Sequence, residues 1–118
     1  MTLRNLAQLF FWGCVALVTT LSLLPPPELP SVDIWDKAAH SIAYGALMLL
    51  GGIGYRLRLS LQQIALLLFV FGVAIEIIQY RMPGREFSLQ DMLANAIGIV
   101  AFLPLILPAE RLFRIRQS

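Results

Sequence analysis

With 118 residues the chain has room for one domain. Its residues are 58% hydrophobic and only 14% charged, against about 25% charged in a soluble domain, so the expected solvent is lipid. The net charge of +2 sits at the edges of the apolar runs and forms no basic face, which argues against a nucleic-acid partner, and the single Cys14 excludes an internal disulfide.

A membrane span needs about 20 mostly apolar residues. Residues 6–24, LAQLFFWGCVALVTTLSLL, form the first and end at PPPELP, where prolines stop a helix. Arg4 would suit the head of a signal peptide, but the apolar run is long and no small-residue cleavage site follows, so a retained span is expected. The second span covers 36–55, the third 61–80 and the fourth 89–107, with short connections that make neighbours antiparallel. The fold class expected is all-α: a polytopic membrane protein, one domain over 1–118, built as a four-helix transmembrane bundle.

Orientation follows from Lys and Arg in short loops. Arg4, the Arg56–Arg58 connection and the tail with Arg111, Arg114 and Arg116 mark the cytoplasmic side, while Glu28 and Asp33 mark an acidic outer connection. Both termini are therefore expected in the cytoplasm. Arg81 and Arg85 in the second outer connection go against the rule and need another reason to be there.

The polar residues of the spans fall at one depth. Asp36, Lys37, His40 and Tyr44 share a face at the head of the second helix. Glu76 and Gln79 lie three apart near the end of the third, and Asp91, Asn95 and Gly98 open the fourth at steps of four and three. All three helix ends lie on the outer side. Glu76 sits about 6 Å inside its helix end by helical rise. A charge at mid-span costs about 2.5–3.5 kcal/mol on insertion scales and less near the interface, so Glu76 is expected to face the bundle and pair with His40, Lys37, Arg81 or Arg85.

Read in order, these residues give D-K-x-x-H-x-x-x-Y (Asp36, Lys37, His40, Tyr44), E-x-x-Q (Glu76, Gln79) and P-G-R-x-x-S-x-x-D-x-x-x-N-x-x-G (Pro83, Gly84, Arg85, Ser88, Asp91, Asn95, Gly98). Over about residues 33–102 the set resembles the VanZ-like family of small bacterial membrane proteins. The resemblance implies a multi-pass protein of the bacterial cytoplasmic membrane and an association with resistance to the glycopeptide teicoplanin, and it brings no established reaction. Two positions depart from the family pattern: Phe102 stands where a small residue often follows the motif glycine, and Ser41 where an aromatic often follows the motif His. Both bear on packing more than on the polar set.

The candidate site is thus Asp36, Lys37, His40, Tyr44, Glu76, Gln79, Arg85, Asp91 and Asn95. No catalytic residue is assigned. One His with a distant Cys14 makes a poor metal site, and no cofactor is expected. Ser88 could complete a triad with His40 and Asp91, but S-L-Q-D reads more simply as a helix N-cap. Ala94 and Gly98 form a small-x-x-x-small step for close helix contact, and Asn95 an interhelical clasp to Gln79, Tyr44 or His40 or a ligand contact. Arg81, Arg85 and Lys37 are candidate phosphate or headgroup contacts, either snorkelling anchors or a bidentate clamp around the Pro83–Gly84 turn.

Three functions compete. One is a non-enzymatic envelope protein, with membrane lipids around it, that binds a lipid-linked or glycopeptide ligand on the outer face. Another is an intramembrane enzyme on a lipid phosphate, with His40 as base, Glu76 as its partner and Arg81 and Arg85 as charge stabilisers. The last is a small transporter, which the absence of an ionisable residue from the first apolar run disfavours. The residues do not fix the oligomeric state.

Overall fold

A computed structural model describes residues 2–23, 33–81 and 89–117. No strand occurs among them. The elements are α1 (Leu3–Ser22), α2 (Asp33–Tyr55), α3 (Leu61–Tyr80), α4 (Leu89–Phe102), a 3-10 turn (Leu103–Leu105) and α5 (Ile106–Gln117). Thr2 caps α1 by accepting from the Asn5 N–H at 3.1 Å. Ser60 and Gln63 start α3 with a reciprocal capping box, each side chain accepting from the other's backbone N–H. The fourth expected span is longer than 89–107 and is bent. Pro104 lacks an N–H and crowds the carbonyl four residues back, so the helix passes through a 3-10 turn and resumes as α5.

Three helices are long and apolar enough to cross a membrane: Leu3–Ser22, Leu61–Tyr80 and Leu89–Leu112. α2, 23 residues long with a polar head and four glycines, is not one of the three. Its place in the bundle explains this. α2 is the central helix, packed most extensively on α4 and next on α1, while α3 lies against α2 and α4 and barely touches α1. A helix surrounded by protein needs small residues for close approach more than it needs hydrocarbon. The helices around it show the converse pattern. Leu9, Phe10, Leu17, Leu66, Leu67, Val70, Leu93 and Val100 are all more than half exposed. Apolar surface on that scale is what a lipid-facing belt presents.

The contacts fix direction. Gly51 packs on Phe11 and Gly54 on Gln8, so α1 and α2 are antiparallel. Tyr44 meets Gly72 while Gly51 meets Ile64, so α2 and α3 are antiparallel too. Ser41 meets Gly98, Gly45 meets Phe102 and Gly52 meets Ile106, so α2 and α4–α5 run parallel. The small residues Ser41, Gly45 and Gly52 thus form a stripe on α2 that receives α4 and α5. Phe102, the departure from the family pattern, is accommodated because Gly45 has no Cβ. Tyr44, Leu47, Met48 and Ile106 form the most buried part of the core.

Candidate functional site

The alternation of directions brings the C-terminal ends of α1 and α3 together with the heads of α2 and α4. The polar residues converge there. On α4, Asn95 is 3% exposed. Its Oδ1 lies 3.2 Å from His40 Nδ1 on α2. An amide oxygen only accepts, so Nδ1 carries the proton in this pair. The other imidazole nitrogen, Nε2, then faces Asp91 Oδ2 at 3.9 Å. Asp91 and Asn95 are four apart on one face of α4, which is why one ring can meet both. The Asn95 Nδ2 group packs on Gly72 of α3, beside the Tyr44 ring; a Cβ on Gly72 would stand 2.9 Å from Nδ2 and 3.2 Å from Tyr44 Cε2. Glycine at 72 lets this amide reach the centre of three helices.

Close approach of α2 and α4 makes this possible. The Ser41 hydroxyl donates to the Ala94 carbonyl at 2.8 Å. Ser41 is thus not merely a gap where an aromatic might stand; it is part of the α2–α4 clasp. Gly98, one turn beyond Ala94, lets the Ser41 backbone lie directly on α4.

Glu76 and Tyr44 are both 2% exposed. Glu76 is one turn beyond Gly72 on the same face of α3, within electrostatic reach of Tyr44. His40, one of the four partners expected for Glu76, also has polar neighbours on α4. Gln79, also buried, donates through Nε2 to the Ser22 carbonyl at 2.7 Å. It closes the C-terminal end of α1, where backbone carbonyls lack helical partners. Lys37 is half-buried at the head of α2, and Arg81 is exposed at the C-cap of α3. Asp36 lies in α2 with its side chain outside the described residues. Arg85, Ser88 and the Pro83–Gly84 turn also lie outside them.

Among the described residues no group of three His, Cys, Asp or Glu side chains is arranged to hold a metal ion. What the cluster offers is an imidazole fixed through one nitrogen, with a carboxylate facing the other, beside a second buried carboxylate and a phenol. That arrangement can donate and accept hydrogen bonds. Replacing Asn95 by Ala is expected to cost about 0.6–2 kcal/mol, the measured span for interhelical polar bonds in membranes, read from unfolding in mixed micelles. A loss below the noise would show that the Asn95–His40 contact does not clamp the helices.

A second charged cluster, which the sequence reading did not assemble, lies at the opposite end. Glu110 of α5 is 3% exposed, and both its oxygens are engaged. One accepts from Arg4 of α1 and the other from Arg56 Nε at 2.8 Å. Arg4 also donates to the Ile53 carbonyl at 2.8 Å, and Gln8 to the Gly54 carbonyl at 2.9 Å, so α1 caps the C-terminal end of α2. The hydrogen bond to Glu110 raises Arg56 further above its ordinary range, so it stays charged. The sequence signal was Glu110 four residues after Ile106, whose side chain is fully buried; the two share a face of α5.

These features define a small all-helical protein with membrane-length apolar helices and a polar cluster at one end. The VanZ/LLP1 family model matches residues 3–113, so the chain belongs to that family and is a VanZ-like membrane protein. The match takes in α1, Arg4 and Glu110, beyond the 33–102 motif region. No curated protein and no solved structure matches the chain.

Proposed function

We propose that this is a multi-pass protein of the bacterial cytoplasmic membrane that binds the polar head of a lipid-linked or glycopeptide ligand at its outer face. All four helices α1–α4 cross the membrane in this reading, with both termini cytoplasmic. The alternating helix directions support four crossings, and the arginines near the ends of α1, α2 and α5 support the orientation. α2 can span despite its modest hydropathy because its neighbours cover it.

The observation that carries the binding reading is His40 held between Asn95 and Asp91, beside buried Glu76 and Tyr44. Ionisable groups inside membrane helices are costly and usually functional. Hydroxyl and amide groups of a sugar or peptide would find both donors and acceptors here. Lys37 and Arg81 border the same end and suit a phosphate on the ligand. Expression of the wild-type chain is expected to change teicoplanin susceptibility, and His40→Ala or Asp91→Asn to abolish the change at normal protein level. Growth inhibition at graded teicoplanin tests this. Variants as effective as the wild type would remove the cluster from the function.

A second reading has one observation in its favour. Asp91 faces His40 Nε2 at 3.9 Å, so an enzyme on a lipid phosphate would use His40 as base with Asp91 as a carboxylate partner alongside Glu76. Comparison of phospholipid and precursor pools with and without the gene separates the two. A changed pool that depends on His40 favours the enzyme.

A further inference from the structure

The walls of α1 and α3 do not close on each other. Between them runs a groove of about 300 Å³, with Trp12 and Val15 on one side, Leu67 and Phe71 on the other and Gly51 at its floor. Gly51 keeps the floor low: a Cβ there would stand 3.1 Å from the Phe11 ring. The lining is almost wholly apolar. Its polar atoms are already used, since Trp12 Nε1 donates to the Tyr55 hydroxyl at 2.7 Å. From Ile64 to Phe71 the groove runs about 10 Å by helical rise. A second helix, about 10 Å across, is too thick for a volume of this size and length. A hydrocarbon chain is not.

At one end of the groove its lining includes Tyr55 and Leu59, which flank the α2–α3 connection. Two arginines stand in that connection. Arg56 is bound to Glu110. Arg58, next to Leu59, is exposed, and its side chain makes no hydrogen bond or ion pair to the described residues. We infer that the groove holds an acyl chain of an anionic phospholipid, with the headgroup phosphate at Arg58. Juxtamembrane arginines attract anionic lipid. This inference is independent of the His40 cluster at the other end of the bundle.

The test uses Trp12 as the reporter, with Trp35→Phe removing the second indole. The protein is titrated in mixed micelles with phosphatidylglycerol or phosphatidylcholine carrying brominated acyl chains, which quench on contact. Half-maximal quenching is expected at about fivefold lower phosphatidylglycerol than phosphatidylcholine, the effect of one arginine near a lipid surface. Arg58→Gln, in a connection outside the helices, is expected to abolish that preference while leaving phosphatidylcholine quenching unchanged. Val15→Phe, which fills the groove, is expected to reduce quenching by both lipids, with helicity checked by circular dichroism. Equal affinity for the two lipids in the wild type overturns the inference. So does a preference that Arg58→Gln leaves intact, or Trp12 shielded from both lipids in a protein that cross-links as a dimer.

Discussion

Replacing Gly98 by Ala is expected to destabilise the protein by about 3 kcal/mol or more, far beyond the usual effect of one methyl group. A Cβ at this position would stand 2.0 Å from the Ser41 carbonyl oxygen and 2.7 Å from its carbon. These are backbone atoms of α2, so no rotamer change relieves the clash. The helices must separate by about 1 Å or more to restore ordinary contact. Separation lengthens the Ser41–Ala94 bond, now 2.8 Å, and the His40–Asn95 contact, now 3.2 Å. Each is an interhelical polar contact worth about 0.6–2 kcal/mol, so their loss adds to the overpacking cost. Two other glycines calibrate the result. Gly52→Ala meets the far end of the Ile106 side chain at 2.5 Å, which can move, and a smaller loss is expected. Gly13→Ala has nothing within 4 Å and sits mid-helix in α1, so a gain of about 0.5–1 kcal/mol is expected. Reversible unfolding in mixed micelles, followed by circular dichroism, checks the order of the three. A Gly98→Ala variant as stable as the wild type would mean that α2 and α4 do not touch here. The same substitution is expected to remove any activity that depends on His40, since it moves Asp91 and Asn95 away from the ring.

That coupling shows which parts of the molecule were legible in the sequence. Helical spacing and short connections place His40, Glu76, Gln79, Asp91 and Asn95 at one end, because period and parity alone decide that. Pairing is another matter. It depends on how far each helix is rotated about its axis, and that is set by contacts between small residues such as Ser41 and Gly98. So the spacing puts Gln79 and Glu76 on one face and offers His40 as one of three partners for Asn95, but does not choose among the three or show that Gln79 caps α1. Helix boundaries shifted for local reasons: α1 begins at Leu3 behind the Thr2 cap, and α2 begins at Asp33, three residues earlier than expected. α2 was placed as a span at 36–55, but hydropathy alone does not show that it is the helix the others cover. Glu110 was lost for a related reason. It lies past the apolar run, on a helix that resumes only after Pro104 bends the chain, and a reading by hydropathy assigns it to the tail.

The Arg4–Glu110–Arg56 cluster carries the other large expected effect. Glu110→Ala is expected to cost about 3 kcal/mol, the lower end of the range for breaking a buried ion pair. The lower end applies because the stranded partners, Arg4 and Arg56, are 20% and 28% exposed and can turn toward water. Arg4→Ala should cost less, since Glu110 then keeps Arg56, although the Ile53 carbonyl loses its donor. Removing Arg4 and Glu110 together should cost less than the sum of the single losses, because one interaction is counted in both. The cluster also has a local consequence. It joins the start of α1 to the ends of α2 and α5, and α1 has little support from α3. Without Glu110, α1 is expected to part from the bundle more often. Cys14, the single cysteine, is half-buried on α1 and reports that motion. Its maleimide labelling rate in micelles should rise in Glu110→Ala and stay near the wild-type rate in Arg58→Gln, where a nearby positive charge is lost without breaking the cluster. Equal rates in Glu110→Ala and wild type would show that α1 is held by its packing on Gly51 and Gly54 alone.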